Sequence, residues 1–524
     1  VNRSQALARQ RAGGGAKRGQ VSDFVDVPAP VGGLNARDSI AAMKPTDAVV
    51  LDNYVPMQSN IVLRGGTKPF VTGIVGTVES LLPYRDGTGN RMFAAAGGRI
   101  YDVTTAGAAG SPAVLGLTNS RFQWVNFGTP GGHFLLAVNG ADPMRRFNGT
   151  TWGDATGDPG VTGFDTSLAI GINVYGERVW LVEMASFRVW YLPLQSIGGA
   201  AVAIDMSSLF RLGGSLASMI TWTVAGTTET TQYAVFLSTE GEFVLFTGDD
   251  PSNPDTWARA GTGRIAKPVG TRCWTRYGTD VILICADGFV SLSEALQLDR
   301  KSNVTAISNK IVGAAGDAVQ SYGGNFGWQP CLYPSGSKLI VNVPMSNGQS
   351  IQYVMNTNTG AWCRYVGINA SCWETTANAL FYGGPGGVFQ AEVGQDDCGA
   401  AITGLIVPAF NYFGSRAYNK RFSQVRVICE APGSFLVTID MLTNFDQLSQ
   451  ASTPSLISHG QAAEWNTSPW NVSAWGTGPR KGYAWEWCGG LGFAGAARIQ
   501  SQTKGLAVSI DAIGYCFEKG DGVY

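Results

Sequence analysis

The stretch YAVFLSTEGEFVLF, residues 233–246, decides the class of fold. Tyr233–Ser238 and Glu242–Phe246 are short runs of the residues that suit a pleated, half-buried surface, and Glu240-Gly241 between them is a turn signal. Together they read as one β-hairpin. Working outward, the same unit recurs on both sides. Arg91–Ala95 and Arg99–Val103 flank Gly97-Gly98, His133–Asn139 and Met144–Phe147 flank Gly140–Pro143, and Arg178–Glu183 is followed by Arg188–Leu192. Further on, Asp280–Cys285 and Phe289–Leu292 flank Asp287-Gly288, and Lys338–Val343 and Ile351–Asn356 flank Asn347-Gly348. Ala379–Tyr382 and Val388–Ala391 flank a Gly-Pro-Gly-Gly turn. A hairpin every ~40–50 residues is the spacing of propeller blades, each a small antiparallel sheet. The sequence therefore predicts an all-β chain with a β-propeller of six or seven blades over residues 75–400.

The flanks have a different grain. Residues 1–22 are basic, glycine-rich and without apolar periodicity, and read as a flexible arm. Residues 23–74 are broken by Pro28, Pro30, Gly32, Gly33, Pro45 and Pro56 and read as an irregular lead-in, in which Asp47–Tyr54 makes a short helix or one strand. After residue 400 the alternating runs lengthen: Phe422–Glu430 and Ser434–Leu442 lie around Pro432-Gly433, and Ala496–Gln502 and Leu506–Ile513 form a closing pair around Lys504-Gly505. Residues 401–524 thus read as a β-sandwich, with a Trp-rich insert over Glu464–Pro479.

Composition narrows the function. The chain has 524 residues, of which 44% are hydrophobic and only 14% charged, and its net charge is -1. Several cores can be buried, which excludes a disordered chain. No global positive field exists to hold nucleic acid. Low charge with many aromatic groups suits a subunit that hides surface in an assembly. No apolar run is long enough for a membrane-spanning helix. The basic residues of the arm are not followed by an apolar stretch, so no secretory signal peptide is expected.

No nucleophile elbow, zinc-protease motif or P-loop occurs, and His133 and His459 are the only histidines. The sequence predicts no catalytic residues, no cofactor and no metal site. The nine cysteines contain no C-x-x-C pair and read as buried free thiols of a reducing compartment rather than a disulfide framework. Gly248–Asp255 (GDDPSNPD) is the densest acidic cluster, but its prolines break the spacing of a calcium loop and favour an Asx/Pro turn. Two groups are candidates for partner contact. Arg3, Arg9, Arg11, Lys17 and Arg18 either touch DNA or an acidic partner or form a solvated tail. Trp465, Trp470 and Trp475, spaced by five in WNTSPWNVSAW, either pack back onto the sandwich or present rings to a sugar or a partner.

Leu51-Asp52-Asn53-Tyr54-Val55-Pro56 followed by Arg64-Gly65-Gly66 resembles the N-terminal stretch of the tail nozzle proteins of short-tailed bacteriophages, also called tail tubular or packaged-DNA stabilisation proteins. The likeness continues through Gly97–Asp102, Leu135–Gly140, Gly241-Glu242-Phe243 with Gly248–Pro251, and Tyr353–Asn356 with Gly360-Ala361-Trp362. It is made of short motifs spread over residues 50–520. It implies a non-enzymatic virion protein, assembled in the host cytoplasm as a homohexameric ring. Such a ring sits below a tail adaptor, carries fibre, spike or needle proteins, and lets genomic double-stranded DNA pass without sequence-specific binding. A secreted propeller lectin or glycosidase is the alternative from another class.

Overall fold

The computed structural model describes residues 22–87, 89–225, 230–297, 307–446, 454–457 and 480–520. Strand makes up 55% of the described residues and helix 7%, so the all-β expectation holds. The expected arm (1–22) therefore lies outside the described residues apart from Ser22, and the tryptophans at 465, 470 and 475 lie outside them altogether.

Five blade-type sheets give the chain a propeller arrangement. Three are four-stranded meanders, running from Gln123–Thr129 to Trp152–Asp154, from Ala169–Tyr175 to Val202–Asp205, and from Leu216–Ala225 to Ala258–Arg264. The fourth is the three-stranded meander from Trp274–Tyr277 to Gly288–Ser291. The fifth is built on Thr67–Arg85, a single long strand that serves two neighbours. Its first part pairs with Ala379–Ala391 and its second part with Asn90–Ala96. An early strand is thereby zipped to the last hairpin, which closes the circle. The meander of Gln329–Tyr333, Lys338–Pro344, Ser350–Asn356 and Trp362–Tyr365 continues the circle but belongs to a larger, ten-stranded sheet.

Six of the hairpins read from the sequence form where expected. Gly97 and Gly98 have φ of 55° and 72°, the left-handed pair that a two-residue hairpin turn requires. The seventh turn is elsewhere. Ala379–Ala391 is one continuous strand, and the turn lies at Ala377-Asn378, ahead of it. Within the strand, Gly386 takes a φ of 73° at a bulge between Pro385 and Gly387, while Gly383 and Gly387 answer to crowding. A Cβ on Gly383 would sit 2.7 Å from the Val78 carbonyl oxygen, and one on Gly387 2.5 Å from that of Val71. These two are small because the long strand passes against them.

Residues 23–74, expected as an irregular lead-in, contribute five strands and the start of Thr67–Arg85, and Pro28 and Pro56 stand at strand ends, where the missing N–H costs nothing. The five strands complete two sheets of the C-terminal region. In the six-stranded sheet, Asp23–Pro28 and Ile61–Leu63 pair with Ser509–Lys519, next to Lys420–Ala431 and Arg480–Gly492. In the ten-stranded sheet, Asp47–Asp52 lies between Trp362–Tyr365 and Ile402–Pro408, with Gly495–Thr503 and Phe435–Thr443 beyond. The runs around Pro432-Gly433 and Lys504-Gly505 are not paired hairpins: each crosses from one sheet to the other. Phe422, Val425 and Val427 of the first sheet and Val437, Ile439 and Ile499 of the second share one hydrophobic cluster, which extends to Trp362 and Phe289. Val312–Tyr322 forms an 11-residue helix that the sequence pattern did not announce.

Candidate functional site

The leading strands of the successive sheets surround a cavity of about 510 Å³. It is lined by Leu81 and Arg85, residues 123–126, Asn173 and Val174, Arg272 with residues 274–276, residues 329–332 and residues 372–375. Strands that diverge from a common axis cannot pair backbone to backbone, yet each buried N–H and C=O needs a partner. Side chains supply it. Asn126 donates to the Pro83 carbonyl at 2.9 Å and accepts from the Arg85 N–H at 3.0 Å. Asn173 donates to Met219 O at 2.9 Å, while Thr221 returns a bond to Val174 O at 2.6 Å. Gln329 does both jobs for Trp373, donating to its carbonyl at 2.8 Å and accepting from its N–H at 3.1 Å. The Arg272 guanidinium donates to the carbonyls of Glu79 and Phe122 at 3.0 and 2.9 Å, and shares the Phe326 ring with Arg121. The inner circle is stitched by side chains.

Glu374 is the acid of this cavity. Its side chain is 14% exposed, 3.7 Å from Arg85. Burial pushes its carboxyl up to about 7, against the pull of Arg85 and Arg272. Burial also pushes the neighbouring Cys331 and Cys372 thiols up to about 12 and about 11, so neither offers a thiolate nucleophile at neutral pH. None of the nine cysteines is in a disulfide, and all but Cys398 are buried, as read from the sequence. The acidic cluster is a turn: Asp250 accepts from the Ser252 N–H and hydroxyl, and Asn253 from the Asp255 N–H. Among the described residues no group of three or more His, Cys, Asp or Glu is placed to hold a metal ion, and no helix is long and apolar enough to cross a membrane.

A second polar assembly lies where propeller, lead-in and C-terminal sheets meet. Arg64 is 1% exposed and forks onto Asp397 with bonds of 2.9 and 2.6 Å. Its Nε donates to Asn53 at 2.9 Å, and its guanidinium faces the Tyr365 ring at 5.5 Å. Tyr365 in turn donates to Glu392, which pairs with Lys338 at 2.6 Å. Asn53, held at φ 61°, donates to the carbonyls of Val366 and Thr403 and so ties the propeller side to the C-terminal side. Beside it Arg364 forks onto Asp52 at 2.7 and 2.8 Å. Truncating Asp397 costs about 3–5 kcal/mol, because the buried Arg64 charge is stranded. Asp52, Asn53, Tyr54 and Arg64, quoted above for the family resemblance, thus act as a joint.

The sequence reading passed over a third feature. On the outer face of the six-stranded sheet, Tyr483, Trp487 and Leu491 of Arg480–Gly492 are 66%, 81% and 65% exposed, and Phe24 across the sheet is 65% exposed. The alternation Tyr483–Trp485–Trp487 was the available signal; it begins just past the Trp-rich insert.

No family model matches the chain, and no curated protein matches it. Among solved structures it is similar to BBS1N, crystallised in complex with ARL6DN, at 12% identity over 64% of this chain and 96% of that one, with a TM-score of 0.40. It is also similar to Raptor of Chaetomium thermophilum, at 8% identity over 65% of this chain and 29% of that one, with a TM-score of 0.39.

Proposed function

We propose that the chain is a structural virion protein, one subunit of a homohexameric tail nozzle through which packaged double-stranded DNA is retained and then ejected. The observation that carries the reading is the joint at Arg64. The residues in which the chain resembles the nozzle family fasten three parts of the fold to one another, which is the task of an architectural protein. The balanced charge supports it as well, because a strongly basic lumen would grip DNA and slow its exit. In this reading the protein has no catalytic role, meets an adaptor ring on one side and fibre, spike or needle proteins on the other, and is assembled in the host cytoplasm.

Two finer points of architecture belong to the same proposal. We count seven blades, taking the two parts of the sheet on Thr67–Arg85 and the meander 329–365 as blades of their own. We read the two C-terminal sheets as a sandwich. Electron microscopy of particles that carry the chain is the test. Six copies, or a multiple of six, around the DNA axis are expected. Another copy number, or a position off that axis, ends the nozzle reading, and glycan binding by the purified chain favours the lectin.

A further inference from the structure

The outer face of the six-stranded sheet has a regular layout. Register places Phe24, Cys516, Gln424 and Trp487 in one row, and Asp26, Gly514, Arg426 and Trp485 in the next, with Ile428 and Tyr483 opposite one another beyond. Arg426 bonds Asp26 at 2.9 and 3.0 Å and lies 4.8 Å from the centre of the Trp485 ring. At the margin Lys519 pairs with Asp23 at 2.9 Å and Lys481 with Asp511 at 3.5 Å, while Arg421, opposite Leu491, is exposed. The face therefore offers rings and a neutralised guanidinium. A partner can cover the rings around Arg426 without stranding a charge, and must meet the exposed Arg421 at the Leu491 end.

Aromatic side chains carry ~150–250 Å² each, so Phe24, Tyr483 and Trp487 with Leu491 make a few hundred Å² of apolar surface. That is at the upper limit of what a monomer leaves to water, and a large part of the ~800 Å² that one side of a standard interface buries. Trp, Tyr and Arg are also the residue types that anchor interface centres. The ten-stranded sheet has its own exposed patch. Leu436 and Leu456, 47% and 57% exposed, are cross-strand neighbours, and the charges nearby are again paired, Arg498 with Asp440 at 3.3 Å. One C-terminal region thus carries two dissimilar apolar patches on two different sheets, which is what head-to-tail association needs.

We propose that the aromatic face is the docking site for a second copy of this chain, which covers it with its Leu436/Leu456 patch. The proposal rests on the ring reading above and names the surfaces that would build the ring. The test uses the full chain and two variants changed only at exposed positions: Trp487→Asp with Tyr483→Ser, and Leu436→Asp with Leu456→Asp. Circular dichroism and melting temperature check that both stay folded. Sedimentation velocity from micromolar to several hundred micromolar is expected to find wild type associating beyond the dimer. Each variant alone should be weakened by about 100-fold or more, and an equal mixture should form heterodimers and stop there, because one intact pair of matching faces remains.

Wild type that stays monomeric throughout overturns the proposal, as does an aromatic-face variant that associates like wild type. A leucine-face variant that still dimerises alone overturns the named occupant, since the aromatic face would then be pairing with itself. Rings built through these faces in a number other than six sink the nozzle reading and leave this inference standing. Six-fold nozzles formed by both variants do the reverse.

Discussion

Glu374 shows how one side chain ties the fold to pH. Its carboxyl sits at about 7 in the folded chain against an ordinary value near 4.5, because burial between the inner strands penalises the charge. The groups that face it are Arg85 from the long strand, Arg272 from the approach to Trp274–Tyr277, and the protonated thiols of Cys331 and Cys372. The raised value means that the folded chain keeps a proton that the unfolded chain releases. The stability this contributes is complete below pH 4.5 and is lost as pH rises through 7. At about 1.4 kcal/mol per pKa unit, the loss between pH 5 and pH 8 is about 2–3 kcal/mol. Glu374→Gln removes the titration. Urea midpoints at the two pH values should therefore converge for the variant, which should be the more stable protein at pH 8. Parallel pH profiles for the two proteins would remove Glu374 from the account.

At the scale of elements, the stitches of the inner circle are the weak points of its closure. Gln329→Leu deletes both bonds to Trp373 and leaves a buried N–H and C=O without partners. Each such group costs about 1–3 kcal/mol, so a loss of about 2–6 kcal/mol is expected in denaturant unfolding. A loss below about 1 kcal/mol, the range of an ordinary surface change, would mean that water replaces the stitch. None of this was legible in the sequence. Gln329 and Trp373 are joined by ring geometry, and an amide in a strand gives no local sign of its partner. What was legible was local: six hairpins with their turns, from Gly97-Gly98 to Asn347-Gly348. The seventh turn was misplaced because glycine serves tight turns and close backbone approaches equally. The arches at Pro432-Gly433 and Lys504-Gly505 read as pairs because alternation gives the face a side chain takes, not the sheet its strand joins. The helix Val312–Tyr322 escaped because VGAAGDAVQSY holds few large apolar residues to mark a face. Of the candidate contacts, the arm and the spaced tryptophans lie outside the described residues, while the exposed rings that are described sit a few positions further along.

Over the whole molecule, the chain folds back on itself. Asp47–Asp52 is the central plank between Trp362–Tyr365 and Ile402–Pro408, and Asp23–Pro28 covers part of Ser509–Lys519. A chain lacking residues 23–66 should therefore lose order far beyond the cut. Limited proteolysis is expected to cleave it between residues 401 and 520 at least ~10-fold faster than the full chain, since cleavage follows the population of opened states. Equal resistance would establish the C-terminal sheets as independent of the lead-in.

The pairing of Asp23–Pro28 with Ser509–Lys519 also has a mechanical side. Asp23 lies opposite Phe517 and Pro28 opposite Ala512, so the chain leaves the pair at Asp23 and at Lys519 from the same end. Tension applied between those two points does not shear the six facing residues together; it peels them apart one rung after another. Each rung meets the load alone, so the clasp yields at the force of a single rung, and a pull transmitted along the polypeptide would open this molecule first where its early and late strands meet.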